Sequence, residues 1–156
     1  GFTGVNSVNC TLVNATGGVV GRQTVSRNGT YAMKLKERFS QTGVYNYTME
    51  CEAGGVGMGE LFWYYYDNVR PSIALEYPAT TTAANATINI TATDALSPVI
   101  ACNIRGGATY NLNSGETASV DVTLRRIGRN RFTFSCVDYA KNRARATATI
   151  TRLRVP

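Results

Sequence analysis

Apolar and polar residues alternate with a period of two along much of this chain. Thr87-Ile-Asn-Ile-Thr-Ala-Thr93 sets Ile88, Ile90 and Ala92 on one face and polar residues on the other, the pattern of a half-buried strand. Residues 72–77, 99–104, 120–124, 132–136 and 144–150 also read as strands, with a weaker one at 109–112. Pro78, Gly106-Gly107 and Asn113-Ser-Gly115 punctuate them. Seven short strands at spacings of about ten residues predict an antiparallel sandwich. Upstream, residues 31–37 alternate too, and no window carries a capped 3.6-residue period. The expected fold class is all-β, with helix close to absent.

The pattern repeats. Gly43-Val-Tyr-Asn-Tyr-Thr-Met-Glu-Cys51 and Gly128-Arg-Asn-Arg-Phe-Thr-Phe-Ser-Cys136 are two versions of one strand, 85 residues apart, and Pro71 and Pro156 share that offset. Asn9-Cys-Thr-Leu12 answers Ala101-Cys-Asn-Ile104 at an offset of 92, so the first unit holds seven extra residues between its cysteines. The units are roughly 1–70 and 71–156. At the larger offset Gly1 falls on Thr93, which leaves the first unit without counterparts of the first two strands of the second. A sandwich short of two strands has open edges and an uncovered core face. Either further chain upstream in a parent protein or a strand donated by another subunit would fill the gap.

The last strand of the first unit, residues 60–66, is unusually aromatic. Carried back by 85 residues, the inward parity of Ala146, Ala148 and Ile150 makes Leu61, Trp63 and Tyr65 core. Phe62, Tyr64 and Tyr66 then point outward as a candidate interface. Contact with a neighbouring loop of the same chain is the alternative, and a carbohydrate-stacking platform a further one.

The cysteines lie 41 and 34 residues apart, once per unit. Four cysteines allow three pairings; repeat logic selects Cys10–Cys51 and Cys102–Cys136, with four buried free thiols as the alternative. Bridges closing such loops stabilise by roughly 4 kcal/mol each and imply an oxidising compartment. Six Asn-x-Ser/Thr sequons, at Asn9, Asn14, Asn28, Asn46, Asn85 and Asn89, exceed the two or so that composition predicts. Asn46 and Asn89 sit at outward positions of their strands, while Asn28-Gly29 also suits a hairpin turn. N-glycosylation and an extracellular, cell-surface location are expected.

The chain has no histidine, which removes Ser-His-Asp and Cys-His catalysis and His-ligated metal sites. Gly54-Gly-Val-Gly-Met-Gly59 lacks the order, helix and lysine of a phosphate loop and reads as a flexible turn. Asp138 starts a turn in which Asn142 would tolerate positive φ; the functional alternative is calcium held by Asp94 and Asp138. No enzyme, cofactor or resident metal is expected. Sixteen Lys and Arg against ten Asp and Glu give a net charge of +6. Without a dense cluster they suit a solvated surface better than nucleic acid. The longest apolar run, residues 61–66, is too short for a transmembrane helix. The start, Gly1-Phe-Thr-Gly-Val5, lacks the marks of a signal peptide, so a secreted form would be processed or a fragment.

Phe132-Thr-Phe-Ser-Cys-Val-Asp-Tyr-Ala-Lys-Asn142 resembles the C-x-D-x-A-G-N ending of tandem immunoglobulin-like (Big-type) repeats in prokaryotic, especially archaeal, cell-surface proteins. Asp67-Asn-Val-Arg-Pro71 resembles the junction between such repeats. Lys141 departs from the usual Gly, and Glu52-Ala-Gly-Gly-Val-Gly57 replaces the Asp-containing turn in the first unit. The resemblance implies two tandem immunoglobulin-like β-sandwiches, the first lacking its two N-terminal strands, in a stalk, adhesin, surface layer or pilus-like filament. The reading that follows is a surface filament or layer subunit assembled with copies of itself, or neighbouring surface proteins, by strand complementation. A glycan- or surface-binding adhesin stalk is the alternative.

Overall fold

Strand β1 (Val8–Asn14) pairs with β2 (Val19–Val25) and with β3 (Gly43–Ala53), and β3 pairs with β4 (Val56–Tyr66). The result is one antiparallel sheet in the order β2-β1-β3-β4. The computed structural model describes residues 7–26 and 31–156, and those residues contain no helix. Asn28 and its sequon lie outside the described residues. The chain divides into the unit Gly1–Tyr66 and the unit Asp67–Pro156.

In the first unit the alternation expected at residues 31–37 persists as alternating burial: Met33, Leu35, Glu37 and Phe39 are half-buried, and the residues between them are exposed. The segment joins no ladder, however. Met33, Leu35 and Phe39 pack against the cluster of Leu12, Val20 and Tyr47, and the Lys36 N–H donates to Val20 O at 2.7 Å. Among the described residues it alone forms the second layer of this unit.

The second unit is a two-layer sandwich. One sheet is β10 (Thr117–Thr123), β7 (Asn85–Thr93) and β5 (Ser72–Glu76). The other runs β6 (Thr80–Thr81), β12 (Arg143–Arg152), β11 (Gly128–Val137), β8 (Val99–Ile104) and β9 (Thr109–Asn113). The inward residues expected of β7, Ile88, Ile90 and Ala92, are fully buried against Ile100, Cys102, Phe134, Cys136, Ala148 and Ile150. The short β6, parallel to the end of β12, carries no period-two signal and was not visible in the sequence. Positive φ in the β11–β12 connection falls on Lys141 (φ 72°) rather than on Asn142. Lys141 stands where the resembled motif has Gly, the residue that adopts a positive φ most readily.

Candidate functional site

Both disulfides form as the repeat logic selects, Cys10–Cys51 and Cys102–Cys136, and no described cysteine is free. Each joins directly opposed residues of adjacent strands in one sheet, with Cα atoms 4.0 Å apart. Their surroundings differ. Cys102 and Cys136 are fully buried beneath the three-stranded sheet, whereas Cys10 and Cys51 are half-buried. Among the described residues, the first pair has less cover than the second. At the offset of 85, β10 (Thr117–Thr123) falls on residues 32–38, and β10 pairs along its length with β7. The described residues of the first unit hold no counterpart of β7 or β5. The 31–40 segment therefore has the position of a strand without its neighbour, over an incompletely covered sheet face.

Strand β4 corrects the expected facing. Leu61, Trp63 and Tyr65 are exposed at 57%, 55% and 65%, while Phe62 and Tyr66 are half-buried. Phe62 packs on Tyr47 with ring centres 5.9 Å apart, and Phe39 of the 31–40 segment stacks on Tyr64 and Tyr66 at 4.9 and 5.1 Å. Phe62 and Tyr66 thus meet their own chain instead of solvent, whereas Tyr64, although stacked on Phe39, stays exposed at 41% as expected. The physical reason is a one-residue slip. Cys51 opposes Met58 across the Gly54-Gly55 turn, seven positions on, whereas Cys136 opposes Ala144, eight positions on, across residues 138–142. A shift of one residue turns every side chain of a strand over. Gly54 and Gly55, both at positive φ (58° and 79°), make the tight two-residue hairpin that causes it; Val56 to Gly59 belong to β4, not to a flexible turn.

The outer face of this sheet thus carries Val44, Leu61, Trp63 and Tyr65, with Asn46 among them. Beside them a recess of about 450 Å³ is lined by Asn9, Thr11, Thr48, Glu50 and Glu52, where Gly57 and Gly59 provide no side chains to fill it. Strand β4 is also a sheet edge, eleven residues long, without Pro or Lys to block addition of another strand.

Among the sequons, Asn9 and Asn85 are exposed, and Asn46 and Asn89 half-buried. Asn14 is engaged by its own turn: its Oδ1 accepts Thr16 N, Thr16 Oγ1 and Gly18 N at 3.2, 2.8 and 2.8 Å.

Asp67 joins Asp94 and Asp138 in a cluster whose carboxylate oxygens lie within 4.8 Å of one another, a donor type that suits calcium. Each carboxylate already caps a turn. Asp94 Oδ1 accepts Leu96 N and Ser97 N at 2.9 and 2.8 Å, Asp67 Oδ1 accepts Val69 N at 3.0 Å, and both Asp138 oxygens are held by Asn142 at 2.8 Å. These turn-capping bonds hold the three side chains in place.

No protein-family model and no curated protein sequence matches the chain. Among solved structures, the fibronectin(III)-like modules of Clostridium thermocellum CbhA superpose with a TM-score of 0.51 at 12% identity, over 96% of this chain and 79% of that one. The BSP domain of a biofilm associated protein gives a TM-score of 0.35 at 15% identity, over 98% of this chain and 26% of that one. The amphioxus IgVJ-C2 molecule gives 0.39 at 13%, over 97% and 92%. The likeness to the CbhA modules, with the sheets described above, shows the fold: all-β, tandem immunoglobulin- or fibronectin-type sandwiches.

Proposed function

We propose that this chain is a non-catalytic extracellular structural protein, a subunit of a cell-surface filament or layer, whose first unit is completed by a β-strand from a neighbouring copy. The observation that carries this reading is the 31–40 segment. It is seated on its sheet through Met33, Leu35 and Phe39, yet it lacks the ladder that β7 gives to its counterpart β10. A strand added beside it would complete its backbone hydrogen bonding and cover the half-buried Cys10–Cys51 bridge. If the donor is another copy and the contact is heterologous and does not close, the product is a fibre. The two disulfides and the sequons at Asn9, Asn14, Asn46, Asn85 and Asn89 support an oxidising, glycan-bearing location.

The test is negative-stain electron microscopy of native surface material, beside a variant carrying a second copy of residues 72–93 fused ahead of Gly1. Regular fibres or sheets that the fusion prevents from forming are expected. Separate particles in native material, or fibres indifferent to the fusion, would sink the reading.

A second reading rests on the outer face of the first sheet. Exposed Trp63 and Tyr65 would stack on sugar rings in an adhesin stalk. It requires a monomer whose Trp63 fluorescence responds to oligosaccharide, and a chain that self-assembles without any response excludes it.

A further inference from the structure

The arginines that look dispersed along the second unit are gathered by its fold. Strand β8 stops pairing with β11 at Ile104 opposite Phe134, while β11 continues back to Gly128. The last contact is Arg105 N to Thr133 O at 3.0 Å. Beyond it the sheet opens into a cleft of about 740 Å³, bounded by the turn after β8 and by the connection from β10 to β11. Arg105, Arg125, Arg126 and Arg131 line it, with Ile104 and Phe132 as apolar wall and no carboxylate among the lining residues.

The cleft is held in shape by buried groups. Asn130, 7% exposed, donates from Nδ2 to Arg126 O and Gly128 O at 3.0 Å each and accepts Arg126 N at 3.4 Å. That fixes the connection carrying Arg125 and Arg126, and Arg126 Nε donates to Arg129 O at 2.9 Å. On the opposite rim, a Cβ at Gly107 would lie 2.4 Å from Ile104 Cγ2, so only glycine lets this turn fold down over Ile104. The guanidinium groups of Arg105, Arg125 and Arg131 make no hydrogen bond or ion pair among the described residues. Four like charges brought together without a counter-ion repel one another and cost stability, which an anionic ligand would relieve.

We infer that this cleft is a binding site for an acidic polysaccharide, its carboxylates taken by the arginine forks and a sugar ring set against Ile104 and Phe132. Planar guanidinium groups match carboxylate geometry in paired hydrogen bonds. The volume falls in the range of small-ligand sites, suiting a few sugar rings rather than the width of a duplex. One aromatic side chain does not make a stacking platform for successive bases. The two disulfides fit the oxidising, extracellular setting proposed above, in which an acidic polysaccharide is an accessible ligand. This inference is independent of how the first unit is completed.

The test is calorimetric titration of the full chain with polygalacturonate at low salt, against its methyl-esterified, uncharged form, chondroitin sulfate and a short DNA duplex. Arg105→Gln with Arg131→Gln removes two cleft charges. Arg143→Gln with Arg145→Gln removes two exposed charges from β12, outside the cleft. The cleft variant is expected to lose about tenfold or more in affinity while the β12 variant changes little, and the methyl ester is expected not to bind. Arg125→Gln alone, expected to lose a smaller factor, serves if the double variant fails to fold. Equal losses in the two double variants would mean non-specific charge attraction and overturn the inference. No binding of polygalacturonate by the unaltered chain, or tighter binding of the duplex, overturns it equally. Preference for chondroitin sulfate over polygalacturonate keeps the polysaccharide and changes its acid group.

Discussion

Asn46 lies directly across from Trp63 on the outer face of the first sheet. Asn46 is a sequon residue and Trp63 the sole tryptophan of the chain, so fluorescence reports on this one spot. A glycan on Asn46 would cover the indole, and we expect iodide quenching of Trp63 to rise when glycans are removed enzymatically. Peptide mapping should find Asn46 and Asn85 occupied more fully than Asn14, whose side chain is held in its turn. A bare Asn46 in native material would end this account.

The facing of β4 is checked by two substitutions one residue apart. Phe62→Ala removes the ring packed on Tyr47 and should cost about 2 kcal/mol. Trp63→Ala, at an exposed site, should stay within about 0.5 kcal/mol for the isolated chain. Urea midpoints decide the matter; the opposite ranking would restore the parity expected from the sequence.

The sequence carried most of the second unit because each of its strands apart from the two-residue β6 is covered on one face, and coverage makes a period of two. Ile88, Ile90 and Ala92 were legible for that reason, and so were the bridges, since a cysteine pair recurring with the repeat is a long-range signal. The parity of β4 was hidden because a repeat offset does not record that the Gly54-Gly55 turn shortens the loop by one residue relative to its partner strand. The arginine cleft was hidden for a different reason: Arg105 comes from another strand end than Arg125, Arg126 and Arg131, and the sheet boundary that unites them leaves no mark in the local pattern.

Tyr47 donates a hydrogen bond to Glu37 from inside the small core of the first unit. Burial, and then that bond to Glu37, raise the phenol above its ordinary pKa of 10.0. A group whose folded pKa is raised contributes stability in full below its unfolded pKa and loses it as pH climbs above that value. The first unit should therefore weaken in alkali above about pH 10, with Tyr47 ionising as a late step in an ultraviolet titration. Tyr47→Phe should remove this late step and cost about 1 kcal/mol at neutral pH. Persistence of the step in that variant would assign it to another tyrosine.

The two bridges should differ in access. Cys10–Cys51 is half-buried and Cys102–Cys136 fully buried, so mild thiol reductant is expected to open the first well before the second. Replacing Cys102 and Cys136 together by Ala should cost roughly 4 kcal/mol. Mass spectrometry of alkylated peptides along a reduction time course gives the order, and simultaneous opening would contradict it.

Because each bridge clasps neighbouring strands of a single sheet, it also sets how far the chain can lengthen under tension. A pull on the two ends passes through the sulfurs and bypasses the 41 and 34 positions they span, about half of the chain. At about 3.5 Å per residue, the segments inside the loops withhold well over 200 Å of extension that a reduced chain would release. With both bridges closed the chain would stop at about half the length that a reduced chain reaches, so its limit of extension is set by redox conditions.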